Sequence, residues 1–205
     1  MKRKKLKESN FELLVNKKNP LDKNYIPEDL IIIDEQNSLN KTTYYNYLKM
    51  IKDARKEGYI FDIDSSYRSY EYQEILYNLF VKEHGEEYAS KYCALPGYSE
   101  HQTGLAIDIV VLRNNQSIKI SDELEEIKWL HRYMHEYGFI LRYPKDKESI
   151  TSYSYEPWHI RFVGNDLAEY LYKNNLSLEE YHIIKDMSLK HLQESESKII
   201  KLVLK

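Results

Sequence analysis

Apolar and polar positions alternate between helical and strand periods along the chain, and this pattern divides it into elements. Residues 1–40 read as an extended lead-in punctuated by Pro20 and Pro27, with the apolar run from Leu30 to Ile33 as a short strand or packed segment. From Thr43 to Lys56, Tyr44, Tyr47, Leu48 and Ile51 recur at helical spacing, and Gly58 supplies the stop. The segment YIFDIDSSYR then alternates, placing Tyr59, Phe61 and Ile63 on one face of a strand. A second helix is predicted from Ser69 to His84, ended by Gly85.

Pro96, Gly97 and Gly104 shape the ALPGYSEHQTG segment as a loop, which leads into LAIDIVVL, a nearly continuous apolar strand interrupted by Asp108. SDELEEIKWLHRYMHEYG has the form of a capped helix, with Ser121 as N-cap, acids in the first turn and Gly138 past the end. Further strands are expected at Phe139–Arg142 and Tyr155–Val163, with helix from about Asn165 onward. No repeat appears. Helices and strands mix without regular βαβ alternation, which points to an α+β fold with a mainly antiparallel sheet flanked by helices. The expected organisation is one domain over residues 1–185, followed by a charged helical extension over 186–205.

Composition changes this picture little. The 205 residues carry a formal net charge of −3, which gives no whole-chain electrostatic case for nucleic acid. The single cysteine, Cys93, excludes an internal disulfide framework and reads as a small buried apolar residue. The 20 tyrosines could line a wet cleft, but drift in a Lys-, Ile- and Asn-rich chain is the better account of such a count. The basic run Lys2–Lys5 reads as a solvated end. No apolar h-region follows it, and no stretch approaches the roughly 18 apolar residues of a membrane span. As given, the chain reads as cytoplasmic, with the cell-wall side as the alternative for a chain trimmed of an anchor.

Three polar clusters stand where the pattern asks for something bland: Ser65-Ser66-Tyr67-Arg68 with Gln73, Ser99-Glu100-His101 with Asp108, and Glu156-Pro157-Trp158-His159. A carboxylate inside AIDIVV is costly to bury alone and calls for a partner or a metal. A loop doubling back at Gly104 brings His101 to it, and His159 is the natural third ligand. Two histidines and one carboxylate with an open position make a hydrolytic zinc site. Glu156 stands close enough to a ligand to serve as proton carrier, and Arg68 offers a fixed positive charge, with Asp62 or Asp64 as its alternative structural partners. Trp158 reads as packing beside the metal, and Glu156 has an ion pair with Arg161 as its blander role. His131 and His135 lack the adjacent glutamate of a metalloprotease helix and read as ordinary helix residues.

PGYSEHQTGLAIDI resembles the Ser-x-His-x(6)-Asp signature of D-alanyl-D-alanine carboxypeptidases and dipeptidases of the VanY and VanX type. YEPWHIRFVG resembles the Glu-Pro-Trp-His signature of the same family, and SSYRSYEYQ its substrate-side segment. The resemblance runs in order from about Leu14 to about Gly164. It implies the small α+β zinc fold shared with lysostaphin-type peptidases and the hedgehog signalling domain. One catalytic Zn2+ would be held by His101, Asp108 and His159, with Glu156 as general acid/base and Arg68 at the carbonyl oxygen in the transition state. Ser99 and Gln73 would lie near the substrate's terminal carboxylate. The implied activity is zinc D,D-carboxypeptidase, removing the terminal D-alanine from peptidoglycan precursor peptides in glycopeptide (vancomycin) resistance or wall remodelling. The alternatives are a bifunctional VanXY-type enzyme that also cleaves the D-alanyl-D-alanine dipeptide, an L,D-carboxypeptidase, and an inactive zinc-containing wall-binding module.

Overall fold

The structure, a computed structural model, describes residues 10–203, so the Lys2–Lys5 run lies outside the described residues. The lead-in forms an antiparallel ribbon of β1 (Leu30–Ile32) and β2 (Ser38–Asn40), followed by α1 (Lys41–Lys56), β3 (Phe61–Ser65), α2 (Tyr70–His84) and α3 (Glu86–Tyr92). A 3-10 turn (Glu100–Thr103) precedes β4 (Ala106–Arg113) and β5 (Gln116–Ile118). Next comes α4 (Glu125–Tyr133), prolonged by a second 3-10 turn (Met134–Tyr137). The chain continues through β6 (Phe139–Leu141), α5 (Glu148–Thr151), β7 (His159–Phe162), α6 (Asn165–Asn174) and α7 (Leu178–Val203). The main sheet runs β3-β4-β7-β6, with β5 also pairing β4, and every pairing is antiparallel. This is the α+β architecture the pattern predicts.

Helices α1 and α2 begin where a side chain satisfies their free amides. The Asn40 side chain accepts from Thr42 and Thr43 N–H, starting α1 two residues before the periodic run, and Ser69 accepts from Tyr72 N–H at the start of α2. The core face of α1 is Tyr47, Met50, Ile51 and Ala54, while Leu48 stands at its margin. These residues pack on Phe61, on Ile107, Ile109 and Val111 of β4, and on Ile127, Leu130, Phe139, Ile160 and Phe162. Because successive strand residues face opposite ways, Ile107 and Ile109 in that core turn Asp108 to the other side of the sheet.

Two expectations require correction. Ser121 does not cap α4: the helix starts at Glu125 with Leu124 in the cap position, and Ser121 instead accepts from Leu124 N–H in a turn. Asp122 is held there by Lys145 and Tyr155, a tertiary contact that keeps this turn out of the helix. The strand expected over Tyr155–Val163 is confined to His159–Phe162, because residues 156–159 fold into a turn around Pro157. Residues Leu178–Val203 form one helix, α7, which includes the described part of the expected 186–205 extension. Its first residues, Leu178 and Glu179, are buried, whereas residues 183–194 are exposed. Among the described residues no helix is long and apolar enough to cross a membrane.

Candidate active site

The sheet register assembles the site. Asp108 of β4 lies directly opposite His159 of β7 and next to Ser65 of β3, so the Asp108 and His159 side chains share one face. His101 arrives from the 3-10 turn that Gly104 ends. This glycine has φ +68, and its N–H donates to the His101 carbonyl. A Cβ on Gly104 would sit 3.1 Å from the Asn40 nitrogen, so the return of the chain toward the sheet requires glycine. Glu156 and His159 are the first and fourth residues of a turn closed by His159 N–H donating to the Glu156 carbonyl, with Pro157 at the favoured second position.

One ligand atom from each of His101, Asp108 and His159 lies within 4.8 Å of the others, and all three residues are buried. The Nδ1 of His101 is 2.6 Å from the Ser66 carbonyl, which fixes it as the donor. Burial, then the Arg68 charge, holds the His101 imidazole below its ordinary pKa, hence neutral. Its Nε2 lone pair therefore faces Asp108 Oδ2 at 3.2 Å, an arrangement that calls for a cation between them. On the other side His159 Nδ1 lies 3.0 Å from Asp108 Oδ1. Burial pulls this imidazole down, but the facing Asp108, Glu100 and Glu156 outweigh it and lift the pKa to about 9. Burial likewise raises the Asp108 carboxyl, and the two histidines override it to hold the group well below the usual range. Two nitrogens and an ionised oxygen converging on one point suit zinc.

Arg68 donates through Nη2 to Asp108 Oδ2 at 2.8 Å and through Nε to Ser65 Oγ at 2.9 Å, so its carboxylate partner is neither Asp62 nor Asp64. The Glu156 Oε2 stands 3.5 Å from His159 Nδ1, and burial, reinforced by the Asp108 charge, lifts its carboxyl to about 7. These groups open on a cleft of about 140 Å³ whose walls include Arg68, Cys93, Ser99, Tyr143, Glu156 and Trp158. Cys93 is half-buried on this wall rather than fully enclosed, and burial pushes its thiol up. Trp158 is 38% exposed, so it forms cleft wall and not interior packing.

Ser99 lines the cleft and also accepts weakly from His101 N–H at 3.4 Å. Gln73 is buried behind the wall, its amide donating to the Ala94 carbonyl at 2.8 Å. Arg161 pairs with Glu100, not with Glu156. The charged group of Glu100, Arg142, Arg161 and Glu179 beneath the site received no role from the sequence. Its signal was present, since an arginine within FILRY or WHIRF is the same anomaly that marks Asp108.

The VanY family profile, described as D-alanyl-D-alanine carboxypeptidase, matches residues 36–165, which include every residue of this site. The chain belongs to the VanY family. Among curated relatives, YodJ of Bacillus subtilis (strain 168) is 41% identical over 84% of this chain and 67% of its own length. VanXYC of Enterococcus gallinarum, a bifunctional D-Ala-D-Ala dipeptidase and carboxypeptidase, is 36% identical over 82% of this chain and 92% of its own. Among solved structures, the LdcB LD-carboxypeptidase superposes with a TM-score of 0.77 at 40% identity, covering 85% of this chain and 86% of that one. The vancomycin-resistance D,D-pentapeptidase VanY, solved in complex with Zn(II), gives 0.75 at 33% identity, covering 83% and 97%. Like the zinc-bound VanY, the chain is a zinc peptidase, and its buried His-Asp-His cluster is suited to the ion.

Proposed function

We propose that the protein is a D,D-carboxypeptidase that removes the terminal D-alanine from peptidoglycan precursor peptides, with zinc held by His101, Asp108 and His159. The observation that carries this reading is a cation-demanding triad beside a carboxyl tuned to about 7, in a cleft of about 140 Å³.

Zinc in this position supplies Lewis acidity, activating water and polarising the scissile carbonyl. Glu156 takes the proton from the attacking water and returns it to the leaving D-alanine amine, a task that suits a pKa near neutrality. Arg68 is fixed by Ser65 and Asp108, and its remaining Nη1 provides positive charge for the oxygen that becomes anionic in the transition state. Ser99 offers its hydroxyl to the substrate's terminal carboxylate, and Gln73 supports that pocket from behind through Ala94. An inactive wall-binding module would need zinc but neither Glu156 nor Arg68, so their presence in the cleft favours the enzyme.

A second reading, an L,D-carboxypeptidase acting on tetrapeptide ends, is favoured by the 40% identity to LdcB, above the 33% to VanY. Release of D-alanine from muramyl pentapeptide, from tetrapeptide and from free D-alanyl-D-alanine separates the readings. Cleavage of the pentapeptide alone supports the D,D-carboxypeptidase. Cleavage of the tetrapeptide alone replaces it with the L,D activity. Cleavage of pentapeptide and dipeptide together marks a bifunctional enzyme, the profile we associate with a cytoplasmic place of action. No cleavage, with zinc bound, moves the binding module to the front.

A further inference from the structure

Glu100 has no part in the reaction described above, yet its side chain is fully buried within a few ångströms of the site. Its Oε1 accepts from Arg142 Nε at 2.7 Å and from Arg161 Nη1 at 2.7 Å. Its Oε2 is buried without a hydrogen-bond partner, and so is Nε2 of His159. These two unpartnered atoms face each other at 3.7 Å. A buried polar atom left alone costs about 1–3 kcal/mol, so two complementary ones in register call for an explanation.

We infer that Glu100 is a positioning residue for His159: its Oε2 holds the proton on Nε2 and thereby leaves Nδ1 as the ring nitrogen that binds metal. A shift of about 0.5 Å brings the pair into hydrogen-bond range. The two histidine ligands are then oriented by different means. His101 is fixed by the neutral Ser66 carbonyl through Nδ1, while His159 is fixed by a carboxylate through Nε2. A carboxylate in that place raises the basicity of the ligating nitrogen as well as aiming the ring.

The carboxylate is itself held rigidly. Arg142 extends from Glu100 to both oxygens of Glu179 at the start of α7, with bonds of 2.9 and 2.6 Å. Glu179 in turn accepts from Asn16 at 3.1 Å. Arg161 donates its Nη2 to the carbonyls of Leu13 and Phe11 at 2.8 and 3.1 Å. Two arginines and two glutamates balance in charge, so the ladder anchors Glu100 through residues 11–16 and α7 without leaving a net charge buried.

This inference rests on the zinc reading, and its test keeps the two apart. The full chain, labelled with 15N-histidine and loaded with zinc, is examined by NMR, and zinc affinity is measured by chelator competition. In the wild type the His159 signals are expected to show metal on Nδ1 and a slowly exchanging proton on Nε2. Glu100→Gln is expected to weaken zinc binding 10–100-fold and to shift that Nε2–H resonance. Glu179→Gln disturbs the same buried ladder without touching His159, and is expected to leave zinc affinity within about threefold. Equal weakening by both variants, or an unchanged affinity in Glu100→Gln, overturns the inference. If Glu100→Gln does not fold, the wild-type spectrum decides: metal on Nε2, or no proton there, overturns it. A wild type that fails to bind zinc stoichiometrically overturns the zinc reading and this inference together.

Discussion

Glu156→Gln separates catalysis from stability with one atom. The amide keeps the shape of the carboxylate but cannot accept the water's proton. The ligand atoms of His101, Asp108 and His159 are untouched, so zinc should remain stoichiometric. General acid–base catalysis contributes about 10²–10⁴-fold, or about 3–5 kcal/mol, and the upper part of that range is expected if Glu156, in the role proposed for it, moves the proton in both directions. The loss should appear in kcat, with KM nearly unchanged.

The same substitution should stabilise the protein in chelator. Burial raises the carboxyl from 4.5 to about 7, so the folded state holds this proton where the unfolded state has released it. Stability therefore falls as pH rises from about 4.5 to about 7, and above that the ionised, 14%-exposed side chain costs about 3 kcal/mol. Glutamine avoids that cost. Urea unfolding of wild type and Glu156→Gln in EDTA should give nearly equal stabilities at pH 4.5 and a more stable variant at pH 8. Activity within tenfold of wild type, or a stability difference that does not grow with pH, would refute the reasoning.

Other outcomes follow from the same geometry. Arg68→Ala should lower kcat about 10²–10³-fold in steady-state assays, and a rise in KM alone would make Arg68 a substrate anchor instead. Zinc affinity should weaken as pH falls from 8 to 6, by about tenfold per unit. His159, lifted to about 9, must shed a proton to bind metal, and competition with a chromophoric chelator measures the slope. Gly138→Ala should destabilise by about 2–4 kcal/mol in urea. Its φ is +83, and an added Cβ would lie 2.6 Å from Phe162 Cε2 in the core.

Much of this site was legible because its residues violate the local pattern. Asp108 breaks an apolar strand, and the antiparallel register then places His159 across from it. Gly104 marks the point where the chain returns His101 toward the sheet, and Pro157 marks the turn that carries Glu156. What escaped depends on pairing across long separations. Arg68 was singled out, but its pairing with Asp108, 40 residues away, was not, because Asp62 and Asp64 were the carboxylates close to it in sequence. Glu100 lies 42 residues from Arg142 and 61 from Arg161, so its anchoring becomes visible only once β6 and β7 are side by side. Ser121 misled for the same reason: a favourable capping sequence lost to the distant contacts of Asp122 with Lys145 and Tyr155.

The central claim is that one zinc ion in the His101-Asp108-His159 cluster drives release of a terminal D-alanine. Chelator-stripped protein titrated with zinc, with D-alanine release from muramyl pentapeptide followed at each addition, tests it most directly. No activity is expected without metal, then a linear rise to one equivalent and a plateau beyond it, with both zinc retention and activity lost in His159→Ala. Activity in the stripped protein, or none at one bound equivalent, would contradict it.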